Sequence, residues 1–342
     1  MRVLRALLAL CLLLPPAISA RADAVSDFFH GKTVTVYIGF TAGGGYDVYG
    51  RLIARYMGNH IPGNPTLVAQ NMPGAGSLQL ANYLYNVAPK DGTAIATFGR
   101  GEAVEPLIGN GGARFDASKF LWLGSVANEV SLCAVWQSSP VQRWSEATQK
   151  EFTVGGLGAG ADPDIFAAVL KNVFGAKLRI VTGYPGGNDV TLAMERGEVD
   201  GRCGWSWSAI KATRLAYLQE HKMGLLIQLA LQKSPELPDV PLVVDLARNE
   251  RERQVLRMIF SRQVTAWPFA APPGLPADRA AALRTAFDAT MKDAGFLAEA
   301  KKAGLEVDPV PGAEMDRLIA ELYRTPPDIV AEAKKAAATD SK

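Results

Sequence analysis

The chain predicts an α/β protein built on mostly parallel sheets. Three observations carry this. Short apolar, β-branched runs alternate with amphipathic stretches nearly throughout; Pro-Gly turns punctuate the alternation; and no repeat or low-complexity linker interrupts it. A strand is expected at residues 34–40, where Val34, Val36 and Ile38 alternate with other residues before a glycine-rich turn. A helix at 48–57 follows, then a strand at 66–70, a helix at 77–87 and a strand at 94–98. Strands at 121–126, 132–136 and 152–155 lead to a helix at 165–174, a strand at 179–182, and helices at 189–196 and 209–220. Strands at 225–229 and 265–270 precede helices at 277–292, 299–303 and 312–323. Each strand is short and several are bounded by Gly, Pro, Asn or Asp, and the helices repeat apolar residues at three- and four-residue spacing.

The turns Pro62-Gly63, Pro73-Gly74, Pro185-Gly186 and Pro272-Pro273-Gly274 read as loops between elements, not as domain linkers. The N-terminal half and the segment after Val264 share a strand-rich character. This pattern permits one lobe made of 25–128 plus 246–342, interrupted by a second at 129–245, with two strand crossovers as a hinge.

The first 24 residues read as a cleaved export signal. Arg2 and Arg5 precede a short apolar run from Ala6 to Leu14, and Ala20, Ala22 and Ala24 give small-residue cleavage spacing. The apolar run before Pro15-Pro16 is too short to span a bilayer. Leu10 before Cys11 does not suit a lipid anchor. A periplasmic location is therefore expected. Removing this segment takes away three arginines and one aspartate, leaving 33 basic and 33 acidic residues. A neutral chain argues against nucleic acid or an anionic membrane as partner, since both reward a basic excess. His30, His60 and His221 lie far apart without metal-ligand spacing, so no metal is expected. Cys133 and Cys203 could bridge in an oxidising compartment, but the reading favours two buried, unbridged residues because no Cα separation is visible in a sequence.

Gly43, Gly44 and Gly45 follow the first strand and precede a helix with Asp47 in its first turn. Glycines admit positive φ and close backbone approach, and a helix start offers free N–H groups, so this is an anion cradle. It does not match G-x-G-x-x-G, because Val48 stands at the last position. Gly156-Leu-Gly-Ala-Gly-Ala161 does match G-x-G-x-x-A, but is read as a second anion loop with Asp162 as N-cap and Pro163 at the first helical position, not as a nucleotide site. No phosphate-loop or nucleophile-elbow motif occurs, and no cofactor is expected. A third loop, Thr182-Gly-Tyr-Pro-Gly-Gly-Asn-Asp189, is either a ligand loop with Tyr184 beside it or an ordinary Pro-Gly turn. Arg100 and Arg202 each stand beside glycine after a strand, where a guanidinium can fork a carboxylate or form an interlobe salt bridge. Of Trp205 and Trp207, one is expected to line a pocket.

Phe40-Thr-Ala-Gly-Gly-Gly-Tyr-Asp47 with Arg51 resembles the "PFPPGGGTD…AR" opening of the tripartite tricarboxylate transporter substrate-binding proteins, the Bug receptors. Asn71-Met-Pro-Gly-Ala-Gly76 is similar to their "NRPGAGG", Ala88-Pro-Lys-Asp-Gly92 to "AxPDGYT", Gly197-Glu-Val-Asp200 to "GQVD" and Ser234-Pro-Glu-Leu-Pro-Asp-Val-Pro241 to "SPxLPDVPT". Residues 181–189 resemble their "VPYKG" loop, and 268–276 their "LxAPAGTP" segment. The ordered set spans nearly the whole chain after the leader.

The resemblance implies a type II periplasmic-binding-protein fold, two lobes each with a mixed sheet flanked by helices, and a ligand cleft between them. It implies a non-enzymatic, monomeric receptor that delivers a small organic carboxylate to membrane permease subunits. In that family backbone N–H groups of opposing loops hold the carboxylate. Carried over, these are Thr41, Ala42, Gly43, Gly44, Tyr46 and Asp47 on one lobe, and Gly158, Ala159, Gly160, Ala161 and Asp162 with Tyr184, Gly186 and Asp189 on the other. Thr41-Ala42 replaces the family's Pro-Pro, Met72 replaces an arginine, and Arg202 stands where a neutral residue is usual. Arg202 and Arg100 therefore suggest a second negative group on the ligand or an interlobe latch, and Trp205 a pocket wall. A ligand-presenting sensor subunit and a periplasmic enzyme are the alternatives.

Overall fold

A computed structural model describes residues 24–108, 111–158 and 160–339. Its strands are β1 (Thr33–Ile38), β2 (Thr66–Asn71), β3 (Ala94–Thr97), β4 (Leu121–Ser125), β5 (Ser131–Trp136), β6 (Phe152–Gly155), β7 (Leu178–Val181), β8 (Gly201–Ser206), β9 (Met223–Leu229), β10 (Pro268–Ala271) and β11 (Val310–Pro311). They form two sheets, ordered β11-β4-β10-β3-β1-β2 and β7-β6-β8-β5-β9. β1 pairs parallel with β2 and β3, and β6 parallel with β7 and β8. In each sheet the strand arriving from the other runs against its neighbours: β10 is antiparallel to β3 and β4, and β5 to β8 and β9.

Central strands are apolar on both faces, as sheets covered by helices require. All four residues of β3 are buried, whereas β2, at an edge, alternates exposed and half-buried positions. The helices around the sheets include α1 (Gly45–Tyr56), α2 (Asp162–Phe174), α3 (Gly187–Glu195), α4 (Trp207–Gln219), α5 (Glu250–Phe260) and α6 (Pro327–Ala336). α1 buries Tyr49, Leu52 and Ile53. This spacing of three and four residues puts them on one face.

The chain passes between the sheets after β4 and again before β10, and these two crossings are bonded to each other. Val126 N–H donates to Trp267 O at 3.1 Å, Ala266 N–H to Ala127 O at 3.2 Å, and Glu129 N–H to Gln263 O at 3.0 Å. The core beneath the second sheet contains Val135, Phe166 and Leu226 together with Leu256, Ile259 and Phe260 of α5 and Ile329 and Ala333 of α6. The boundary expected at 245/246 would leave both helices with the first sheet; their apolar faces instead pack under the second. The chain thus crosses a third time, near its C-terminal end.

The expected strands and helices agree with those observed to within a few residues, with clear exceptions. β8 was not expected, because two glycines and Arg202 hide it from hydrophobic periodicity. α5 opens on Glu250, Arg251, Glu252 and Arg253, whose charges mask the apolar stripe that follows; the Asn249 side chain caps it, accepting from Glu252 N–H at 2.9 Å. α6 was missed as well. The strand expected from Thr265 begins only at Pro268, since Ser261–Thr265 forms a 3₁₀ turn.

Missing β8 also hid the cysteine pairing. Cys133 of β5 and Cys203 of β8 stand opposite one another at a shift in register and form a disulfide, which corrects the expectation of two unbridged residues. The leader expected at 1–24 lies, but for its last residue, outside the described residues. Among those described, no helix is long and apolar enough to cross a membrane.

Candidate functional site

The loops after β1, β3 and β6, the loop after β7 and the end of β8 converge on a cleft between the sheets, with about 720 Å³ of space in part open to solvent. Ligands of open α/β sheets sit at such strand ends. One wall is the start of α1 with Phe40, Tyr46 and Trp267; the other is the starts of α2, α3 and α4 with Trp205.

At the first wall, Gly43 has φ +83°, a conformation that favours glycine. It turns the chain into α1, whose N-cap, Gly44, supplies no side-chain bond. Asp47 fastens this turn from behind. Its carboxylate accepts from Gly43 N–H at 2.9 Å, Arg51 Nε at 2.9 Å and Asn71 Nδ2 at 2.8 Å. Burial opposes its charge, but these donors prevail and hold it below the usual aspartate range. Asp47 therefore shapes the loop and does not line the cleft. Tyr46 stacks on Phe40 at 4.5 Å between centroids; its hydroxyl donates to Ala266 O at 3.2 Å and accepts from Arg100 N–H at 3.0 Å.

Arg100 lines the cleft, but its charge is already paired, with only its buried Nη1 lacking a hydrogen-bond partner among the described residues. Only 3% exposed, it donates through Nε to Asp162 and through Nη2 to Ser131 Oγ at 2.8 Å and Ser206 Oγ at 3.1 Å. All three partners belong to the second sheet's side. Asp162 also receives Arg262 Nη1 at 3.3 Å. The bonds of Arg100 tie the loop after β3 to the second sheet's side.

Arg202 is differently placed. It lies within β8 instead of after a strand, with Nη1 donating to Gly187 O at 3.0 Å and its guanidinium 5.1 Å from the Trp205 ring. It forms no ion pair among the described residues, and Nε is buried without a partner. Burial first, and then the nearby Arg100, depress its pKa to about 10. At neutral pH it is still a cation.

The remaining expected residues divide as follows. Gly43, Gly44, Tyr46, Ala161, Asp162 and Trp205 line the cleft. Thr41, Ala42, Gly158, Gly160, Tyr184, Gly186 and Asp189 do not, and Ala159 lies outside the described residues. Thr41 Oγ1 donates to Asp189 Oδ2 at 3.0 Å, tying the two loops together. The loop after β6 is turned inward: Leu157 and Gly158 N–H groups donate to Asp164 Oδ2 at 2.6 and 3.0 Å.

No known family profile matches the chain, and no curated protein matches it by sequence. Solved structures do match. The periplasmic binding protein BugD aligns with a TM-score of 0.71 at 19% identity, over 89% of this chain and 97% of that one. Rpa4515 of R. palustris with adipate aligns at 0.69 and 21%, over 89% and 97%. MatC of Rhodopseudomonas palustris with bound malate aligns at 0.68 and 20%, over 87% and 99%. The fold is that of a two-lobed periplasmic binding protein.

Within this binding-protein fold, sequence reasoning missed several residues of the cleft. Arg214 is the most consequential. It sits at a break in α4 (φ −142°, ψ 18°), and its Nη2 donates to Asn188 Oδ1 at 2.6 Å. Its helix reads as an ordinary amphipathic segment, so nothing in the sequence separates it from solvated charges. Asn188 and Gly187 belong to a loop that was singled out, though neither residue was. Gly186 caps α3 without a side-chain bond, as Gly44 does α1. The two uncapped helix starts line the same cleft, and Gly43 lies 3.8 Å, measured to an added Cβ, from Asn188 Nδ2. Such starts present N–H groups and positive dipole ends to an anion.

Proposed function

We propose that the chain is an exported, periplasmic solute-binding receptor of the tripartite tricarboxylate transporter type, which captures a small organic carboxylate between its lobes and presents it to membrane permease subunits. The observation that carries this reading is the pair of uncapped helix starts in one cleft together with Arg202 and Arg214, which have no acidic partner among the described residues. Such a cleft is left with unmatched donors and positive charge, and a carboxylate supplies the complementary acceptors. The ordered motifs support the same reading, as does the fold shared with structures whose bound molecules include adipate and malate. No histidine lines the cleft, and the Ser206 hydroxyl accepts from Arg100. In this reading Gly43, Gly44 and Tyr46 form one jaw; Ala161, Gly187 and Asn188 form the other.

The test is thermal denaturation of the mature chain with mono-, di- and tricarboxylates. A binding acid raises the midpoint with ligand concentration, by about 2.7 kcal/mol in stability at a hundredfold excess over Kd. Absence of any shift across the panel overturns the receptor reading.

A further inference from the structure

We infer that Arg202 and Arg214 act together as a charge-reading pair, selecting ligands with two anionic groups over ligands with one. This rests on the receptor reading above and deepens it. Both guanidinium groups are anchored on the first residues of α3, Arg202 on Gly187 O and Arg214 on Asn188 Oδ1, so they flank one helix start. Each is held there through neutral oxygens only. The Arg202 Nη2 makes no hydrogen bond among the described residues, and the Nε atoms of both are buried without partners.

The acids nearby do not neutralise them. Asp162 attracts Arg202, but its carboxylate is bonded to Arg100 and Arg262. Glu129 is taken by Ser208 and its own backbone neighbour Val130, and burial pushes its pKa up. Burial likewise pushes Glu102 up. A desolvated guanidinium without an acid is unfavourable, and its depressed pKa expresses the same imbalance.

Two local features set the pair at the cleft. Gly187 allows Arg202 to lie against the helix start, because a Cβ there would stand 2.3 Å from Nη2. α4 breaks from helical geometry at Arg214 (φ −142°, ψ 18°), the residue that completes the pair. The start of α1 on the opposite wall is a separate anion feature. The aromatic rings of Tyr46, Trp205 and Trp267 lie among these elements. A molecule with two carboxylates on a short carbon spacer would engage both walls, one group at α1 and the other at the arginine pair. A monocarboxylate satisfies only one.

The experiment is calorimetric titration of the mature chain with matched acids of four to eight carbons, such as succinate against butanoate and adipate against hexanoate. At least one dicarboxylate should bind about tenfold or more tightly than its partner, the scale of one charge-assisted contact. Arg202→Gln and Arg214→Gln should each collapse that ratio to about threefold or less by weakening the dicarboxylate, and Arg202→Lys should restore part of it. Circular dichroism and the ligand-free melting midpoint establish that each variant is folded, and Arg214, on a different element, gives a test independent of Arg202. Monocarboxylates that bind as tightly as dicarboxylates, or a ratio that survives both glutamine substitutions, would overturn the pair's role and leave the receptor reading standing. If no acid of either series binds, the pair's role falls, and the receptor reading falls with it when the tricarboxylates of the thermal panel also fail.

Discussion

Thr41 and Asp189, 148 positions apart, are joined directly: the threonine hydroxyl of the loop after β1 donates to the aspartate carboxylate at the start of α3, at 3.0 Å. The bond ties together the two loops that lead into the opposing helix starts of the cleft. Removing the donor with Thr41→Val should cost closure about 0.5–1.5 kcal/mol, toward the low end because the pair is partly solvated. The expected result is a larger radius of gyration in ligand-free solution scattering and a several-fold weaker Kd for the best acid of the panel. A variant indistinguishable from the native chain in both would show that the bond does not hold the lobes.

Arg100 and Asp162 form the deeper interlobe contact, and the two are not equivalent. Arg100→Met leaves Asp162 with Arg262, whereas Asp162→Asn leaves Arg100 and Arg262 both without a carboxylate. Truncating one member of a buried pair costs about 3–5 kcal/mol when its partner is stranded. Denaturant unfolding should therefore rank Asp162→Asn as the more destabilised variant. The reverse order would mean that Arg262 does not share the aspartate.

Glu102 makes stability depend on pH in an uncommon direction. Burial first, then the neighbouring Glu105, raises its pKa well above the usual glutamate value of 4.5. One oxygen accepts from Ser77 Oγ at 3.2 Å, and the other is buried without a partner. A raised folded-state pKa means that the contribution is fully present below pH 4.5 and is lost as pH rises through the folded value. Glu102→Gln imitates the protonated form. Its melting midpoint should exceed that of the native chain at pH 8 and converge with it near pH 4. A lower midpoint at pH 8 would contradict a protonated Glu102.

The disulfide closes a separation of 70 residues within one lobe, and both cysteines are fully buried. Loss of such a link costs about 2–5 kcal/mol in the chain-entropy picture. The double substitution Cys133→Ala, Cys203→Ala should unfold at correspondingly lower denaturant, and the folded native chain should resist reductant until it is unfolded. Free thiols titrating in the unfolded, unreduced protein would show the bridge to be absent.

The loop at Gly43 illustrates what was legible in the sequence. Its strand, its glycines and the helix that follows are all local signals, and the structure places them where expected. Asp47 was legible as a residue of the loop but not as its fastener: Arg51 reaches it through the i, i+4 spacing of α1, but Asn71 becomes a neighbour only when β2 lies beside β1. Arg100 and Arg202 looked alike in sequence. Folding separates them, since Arg100 is paired with Asp162 and Arg202 forms no ion pair among the described residues.

The sequence by itself determined the alternation of strands and helices, the glycine-rich turns and the absence of a phosphate-loop motif. These follow from side-chain period and backbone freedom, which act over a few residues. Only the tertiary structure decided that β8 lies between β5 and β6, that α5 and α6 belong under the second sheet, and that Cys133 meets Cys203. It also decided which arginines in the cleft are neutralised. Charge balance and strand neighbours depend on residues a hundred positions apart, and no local pattern encodes which of them meet.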